Sequence, residues 1–117
     1  MSTVEQIEDL VGGRISAVCF VADYLELHFH GPVLRALVAA IVETPSAVFV
    51  FPEAGSREAM CGLIGAAVLD VIVDDDRLIQ LHCDNGLIFT IPFDIAFSAG
   101  SEAAHFVTGR NRSIAVW

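Results

Sequence analysis

The chain has 117 residues, 15 acids against 6 bases for a net charge of −9, and 55% hydrophobic residues. That length fits a single domain over residues 1–117, and the apolar share excludes a disordered chain. The acidity disfavours nucleic acid and anionic membranes as partners, because both need a basic surface.

The elements are expected in this order. Residues 2–11 read as a short amphipathic helix. Ser2 and Glu5 have capping-box spacing, Val4, Ile7, Leu10 and Val11 form one stripe, and Gly12-Gly13 ends it. The period then becomes strand-like over 15–20, with a turn at Ala22-Asp23 and alternation over 24–29 that sets Leu25, Leu27 and Phe29 on one face. Gly31-Pro32 marks the next turn. Residues 33–42 suit helix or strand, and their start is read as strand. Pro45 breaks the run before an apolar strand over 47–51.

Ser56 is placed to cap a helix presenting Ala59, Met60, Leu63 and Ile64, which Gly65 ends. A strand over 68–73, an Asp74-Asp75-Asp76 turn and a strand over 78–83 follow. Asn85-Gly86 is a strong hairpin signal, with the return strand over 87–91. A last hairpin pairs 104–108 with 113–117. The longest uncharged stretch, residues 59–69, is shorter than the about 20 residues that cross a bilayer as a helix.

Residues 27–34 align without a gap on 81–88, sharing Leu-His, a turn and an apolar return. This suggests an internal repeat, about 13–42 and 65–97. The expected fold is therefore α+β and mainly β. Antiparallel sheets from two similar helix-strand-strand-strand halves would form a sandwich or a partly open barrel.

The pattern Ile15-x-x-Val18, Asp23-Tyr24-x-Glu26-Leu27-x-Phe29-x-Gly31, Asp84-Asn85-Gly86-x-Ile88 and a final Val116-Trp117 resembles small uncharacterised bacterial β-rich proteins. The resemblance implies a fold style and no catalytic residues.

Three cysteines, Cys19, Cys61 and Cys83, lack CxxC spacing and are an odd number. They read as free thiols of a reducing cytoplasm, with Cys19 and Cys83 acting as small hydrophobes in strands. The acids Glu5, Glu8 and Asp9 stand where a secretory signal would be basic. The expected location is cytoplasmic.

Of the four histidines, His28 and His30 lie two apart on a strand, and the repeat makes His82 and Asp84 their counterparts. His28, His30, His82 and Asp84 could together hold a transition metal. Against this, a Gly31-Pro32 turn would set His30 opposite Val33 and His28 opposite Arg35, whose charge repels a cation. Asp74-Asp75-Asp76 lacks the spacing of a calcium loop. There is no GxSxG, P-loop or GxGxxG, and no lysine. No catalytic residue is nominated, and no cofactor is expected outside the metal reading.

A two-residue Asn85-Gly86 turn would pair His82 with Phe89 and Gln80 with Ile91. Leu81, Cys83 and Ile88 would then share one face, and Leu87, Phe89 and Ile91 the other. A sheet apolar on both faces must be covered twice, so a second copy is expected on Leu87, Phe89 and Ile91. The expected function is a non-enzymatic, homodimeric binding protein, in one version an inhibitor of a basic protein partner. The alternative is a small-ligand or metal-binding β-barrel using the histidines.

Overall fold

The computed structural model describes residues 6–22, 24–93, 102–108 and 114–117. Among these residues, ten strands and one α-helix run in the order β1 (Ala17–Val21), β2 (Tyr24–His28), β3 (Val33–Ala36), β4 (Ile41–Glu43), β5 (Val48–Val50), α1 (Ser56–Cys61), β6 (Val68–Asp74), β7 (Leu78–Cys83), β8 (Ile88–Pro92), β9 (Ala104–Val107) and β10 (Ile114–Val116). They form two antiparallel five-stranded sheets in a sandwich, ordered β1-β2-β3-β9-β10 and β5-β4-β8-β7-β6. Each sheet is a three-strand meander extended by a hairpin from the other part of the chain. The Arg14–Ala67 bridge links the segments that lead into β1 and β6. Among the described residues, no helix is long and apolar enough to cross a membrane.

Alternation along the strands, broken by an irregularity in β6 between Val68 and Asp70, gives each sheet one inner face. Leu25, Leu27, Leu34 and Phe106 of the first sheet meet Ile79, Leu81, Phe89 and Ile91 of the second, and all are at most 1% exposed. Burying each of these side chains contributes about 1.5–3 kcal/mol of transfer free energy. The helix α1 touches β1, β4 and β5. Its Met60, with Leu63 just beyond, is fully buried in the same core, and Phe20 stacks on Phe51 at 5.6 Å.

The predicted N-terminal helix is a 3-10 helix over Ile7–Leu10. Its first residues, with the Ser2 and Glu5 cap, lie outside the described residues, and Gln6 N donates to Asp9 Oδ2 instead. Gly55 caps α1, while Ser56 is its first residue and donates its hydroxyl to the Glu53 carbonyl. Ile64 leaves the expected apolar face and is 47% exposed, because the α-helix ends at Cys61. The last hairpin pairs β9 with β10 as expected, and its loop lies outside the described residues.

Two hairpin registers differ from expectation, and turn chemistry explains both. The β2–β3 loop is His30-Gly31, both at positive φ (56° and 130°), closed by Phe29 N donating to the Pro32 carbonyl. The slip of two residues keeps every side chain on its face but sets His28 opposite Val33 and Arg35 opposite Glu26. The β7–β8 loop has three residues, Asp84-Asn85-Gly86. Cys83 N donates to the Leu87 carbonyl, and Gly86 takes φ 87° as in a type I turn closed by a left-handed glycine.

That slip is a single residue, which turns a return strand over. Leu81 now faces Phe89, Ile79 faces Ile91 and His82 faces Ile88. Phe89 and Ile91, expected on an exposed interface, are 0% exposed in the chain's own core. Leu87 stands half-buried at the end of the loop. These three residues do not form an outer face.

Candidate functional site

Ionisable side chains gather on the outer face of the first sheet. Alternation along β2 places Tyr24, Glu26 and His28 outward, since Leu25 and Leu27 point in. Cross-strand pairing then builds one row across all five strands. Cys19 is opposite Glu26, Glu26 opposite Arg35, Arg35 opposite His105, and His105 opposite Val116.

The row is hydrogen-bonded through its centre. Arg35 Nε donates to Glu26 Oε2 at 2.8 Å, and Arg35 Nη1 lies 3.2 Å from His105 Nδ1. The other carboxylate oxygen, Oε1, is 3.1 Å from His28 Nε2. The Glu26 side chain is only 16% exposed. Burial pushes its carboxyl up, but the hydrogen bonds from Arg35 and His28, with their charges, outweigh burial and hold it below the usual carboxylate range. Glu102 Oε1 comes within 3.2 Å of His105 Nε2 without hydrogen-bond geometry, which leaves that buried nitrogen without a hydrogen-bond partner among the described residues.

Glu26, Val33, Arg35, Val107 and Ile114 line a cleft of about 240 Å³ beside this row. It is smaller than the about 300–1,000 Å³ pockets that enclose drug-sized ligands. Its lining combines the Glu26–Arg35 salt bridge with three aliphatic side chains.

The four residues expected to share a metal do not come together. His28 is on β2, but His30 belongs to the loop, where its backbone N donates to Ser16 Oγ. His82 projects from the outer face of the other sheet, 2.8 Å from Gln80 Oε1. Asp84 accepts the Ala67 backbone N–H and ties its loop to β6. Among the described residues, the metal-ligating types that do converge are Cys19, Glu26 and His28, whose ligand atoms all lie within 4.8 Å of one another. Arg35, expected beside His28, is bonded to Glu26.

The thiols are all free and differ sharply in setting. Cys83 lies in the core, where burial, then the Asp84 charge, pushes its thiol up to about 11. That makes it an inert hydrophobe, as its strand position implies. Cys61 is exposed at the end of α1, and Cys19 is half-buried in the row rather than in the core.

The second sheet presents a different outer face. Its matching row runs Ile72, Gln80, Thr90, Ile41 and Val50, with Gln80 Nε2 donating to Thr90 Oγ1 at 3.1 Å. Leu78, Ile88 and Val48 flank it, and exposure reaches 62% at Val48 and 40% at Ile72. No family model, curated protein or solved structure matches this chain.

Proposed function

We propose that this chain is a non-enzymatic binding protein that works as a homodimer, with two copies meeting on the outer face of the second sheet. The observation behind this reading is the composition of that face. Ile41, Val48, Val50, Ile72, Leu78 and Ile88 surround the neutral Gln80–Thr90 pair. Exposed apolar patches with polar rims are features of interaction sites.

Self-pairing suits this face better than other surfaces of a chain carrying −9. A two-fold contact sets each patch against its own copy, so a charged patch would repel itself. The middle row here is uncharged, and Glu43, Asp70 and Asp74 stand in the flanking rows. The first sheet also exposes Ile114 and Val116. Covering it, however, would desolvate the Glu26–Arg35 pair, a cost its mutual attraction does not reliably offset.

In the dimer the ionised face of each copy stays open to a partner. A basic protein fits the overall acidity, since opposite charges speed encounter, and inhibition of such a partner is the concrete form of this proposal. The free cysteines suit a reducing cytoplasm.

The same proposal includes a chain of two similar helix-strand-strand-strand halves. Supporting it, a short helix precedes each meander, and the hairpins β9–β10 and β4–β5 extend opposite sheets in the same manner. His28 with Glu26 and His82 with Gln80 repeat one side-chain contact in both.

Sedimentation of the wild type at micromolar concentration, beside Ile72→Glu, tests the dimer. The proposal expects a dimer that Ile72→Glu converts to a monomer whose circular dichroism remains that of the folded sheets. A monomeric wild type overturns it, and so does a dimer that Ile72→Glu leaves intact.

A further inference from the structure

We infer that Cys19, Glu26 and His28 form a three-ligand site for a divalent transition metal of the zinc type. The site lies on the outer face of the first sheet, away from the self-pairing face. Two features of the fold, strand register and strand alternation, bring the three side chains together there. The antiparallel register of β1 on β2 sets Cys19 opposite Glu26. Strand alternation puts His28 on the same side as Glu26. The three ligand atoms lie within 4.8 Å of one another, with Glu26 Oε1 and His28 Nε2 already 3.1 Å apart.

Those spacings are close to what the ion requires. Zinc bonds of about 2.0–2.3 Å to N, O and S place tetrahedral ligand atoms roughly 3.3–3.6 Å from one another. A side-chain adjustment of about 1 Å or a little more, chiefly at Cys19, closes the site around such an ion. Imidazole, thiolate and carboxylate suit zinc and cobalt better than calcium or magnesium, which take oxygen donors.

Arg35 opposes a cation by its charge, but it stands on the far carboxylate oxygen of Glu26, where it also orients that side chain. Its guanidinium is bonded to Glu26 Oε2 and lies against His105, which fixes the carboxylate and leaves Oε1 directed at the His28 ring. Partners of this kind hold metal ligands in place. Three protein ligands leave a fourth position for water or for a donor from a bound partner. The second sheet serves as an internal comparison. It has a histidine in the same position, His82, but Gln80 and Ile72 stand beside it in place of a carboxylate and a thiol.

Cobalt(II) titration of the full, reduced chain at micromolar concentration tests the site. The expected result is one equivalent bound, with a thiolate-to-cobalt charge-transfer band that zinc abolishes. Cys19→Ser should remove the band and Cys61→Ser should leave it. Outer-shell losses weaken metal binding 10–100-fold, so removing a direct ligand in His28→Ala should cost more than about 100-fold in affinity. Circular dichroism of each variant checks that the sheets remain. Absence of a band in the wild type overturns the assignment. So does a band that survives Cys19→Ser, one lost in Cys61→Ser, or unchanged affinity in His28→Ala.

Discussion

Across the first sheet the middle row of the outer face runs Cys19, Glu26, Arg35, His105, Val116; across the second it runs Ile72, Gln80, Thr90, Ile41, Val50. Both rows sit on five antiparallel strands, and both have a histidine bonded to the central residue of the second strand. Their chemistry differs because an ion pair occupies the centre of one and an amide–hydroxyl pair the centre of the other. The ionised row makes its face costly to desolvate and brings Cys19, Glu26 and His28 together. The neutral row lowers the cost of desolvation and leaves a face that a second copy can cover. On the proposed reading, side-chain choice at a few matched positions assigns the metal site to one face of the scaffold and the self-pairing contact to the other.

The largest effect available tests which residues belong to an outer face at all. Phe89 is fully buried, whereas its neighbour Ile88 points outward. Phe89→Ala should cost about 3–5 kcal/mol in urea unfolding, and Phe89→Glu should prevent folding, while Ile88→Glu keeps a folded chain. If Ile88→Glu unfolds the chain while Phe89→Glu keeps it folded, the three-residue Asp84-Asn85-Gly86 loop is wrong and the two faces exchange.

Removing the central cation tests how far the rows differ. Arg35→Ala leaves a mostly buried carboxylate without its partner and should cost about 1–3 kcal/mol. The matched Thr90→Val, which breaks a neutral hydrogen bond, should cost less than about 1 kcal/mol. Equal losses in thermal melts of the two variants would erase the distinction. Gly86→Ala, at a left-handed φ of 87°, should cost about 1–2 kcal/mol in the same melts without altering either face.

The pH dependence of stability sharpens the comparison further. Glu26 is held below the ordinary carboxyl value of 4.5 in the folded chain, so the unfolded chain takes up the proton first as pH falls. Its contribution is present above that value and is lost as pH drops through the lower, folded value. Wild-type stability should therefore decline more steeply in this acid range than that of Glu26→Gln. Parallel curves for the two proteins would show that the ion pair is not stabilising.

Much of this arrangement is legible in the residues themselves. Alternation marks Leu25, Leu27, Ile79 and Leu81 as core, and the turn at Ala22-Asp23 already implies that Cys19 faces Glu26. That pair escapes notice because a cysteine in an apolar strand reads as a small hydrophobe, although Ala17, Cys19 and Val21 fall on the outer side of β1. The loops are harder. His30-Gly31 and Gly31-Pro32 are both plausible two-residue turns, and only one sets Arg35 on Glu26. Asn85-Gly86 invites a two-residue turn where Asp84 joins to make three, and one residue inverts the faces of β8. The contact between Arg35 and His105 depends on β9 joining β3 from far along the chain, which no local pattern encodes.

The central claim is that the uncharged face of the second sheet pairs with its own copy. Native mass spectrometry of the purified protein tests this most directly. The account predicts a species of twice the chain mass of 12.5 kDa. A spectrum containing only the single-chain mass at micromolar concentration would contradict it.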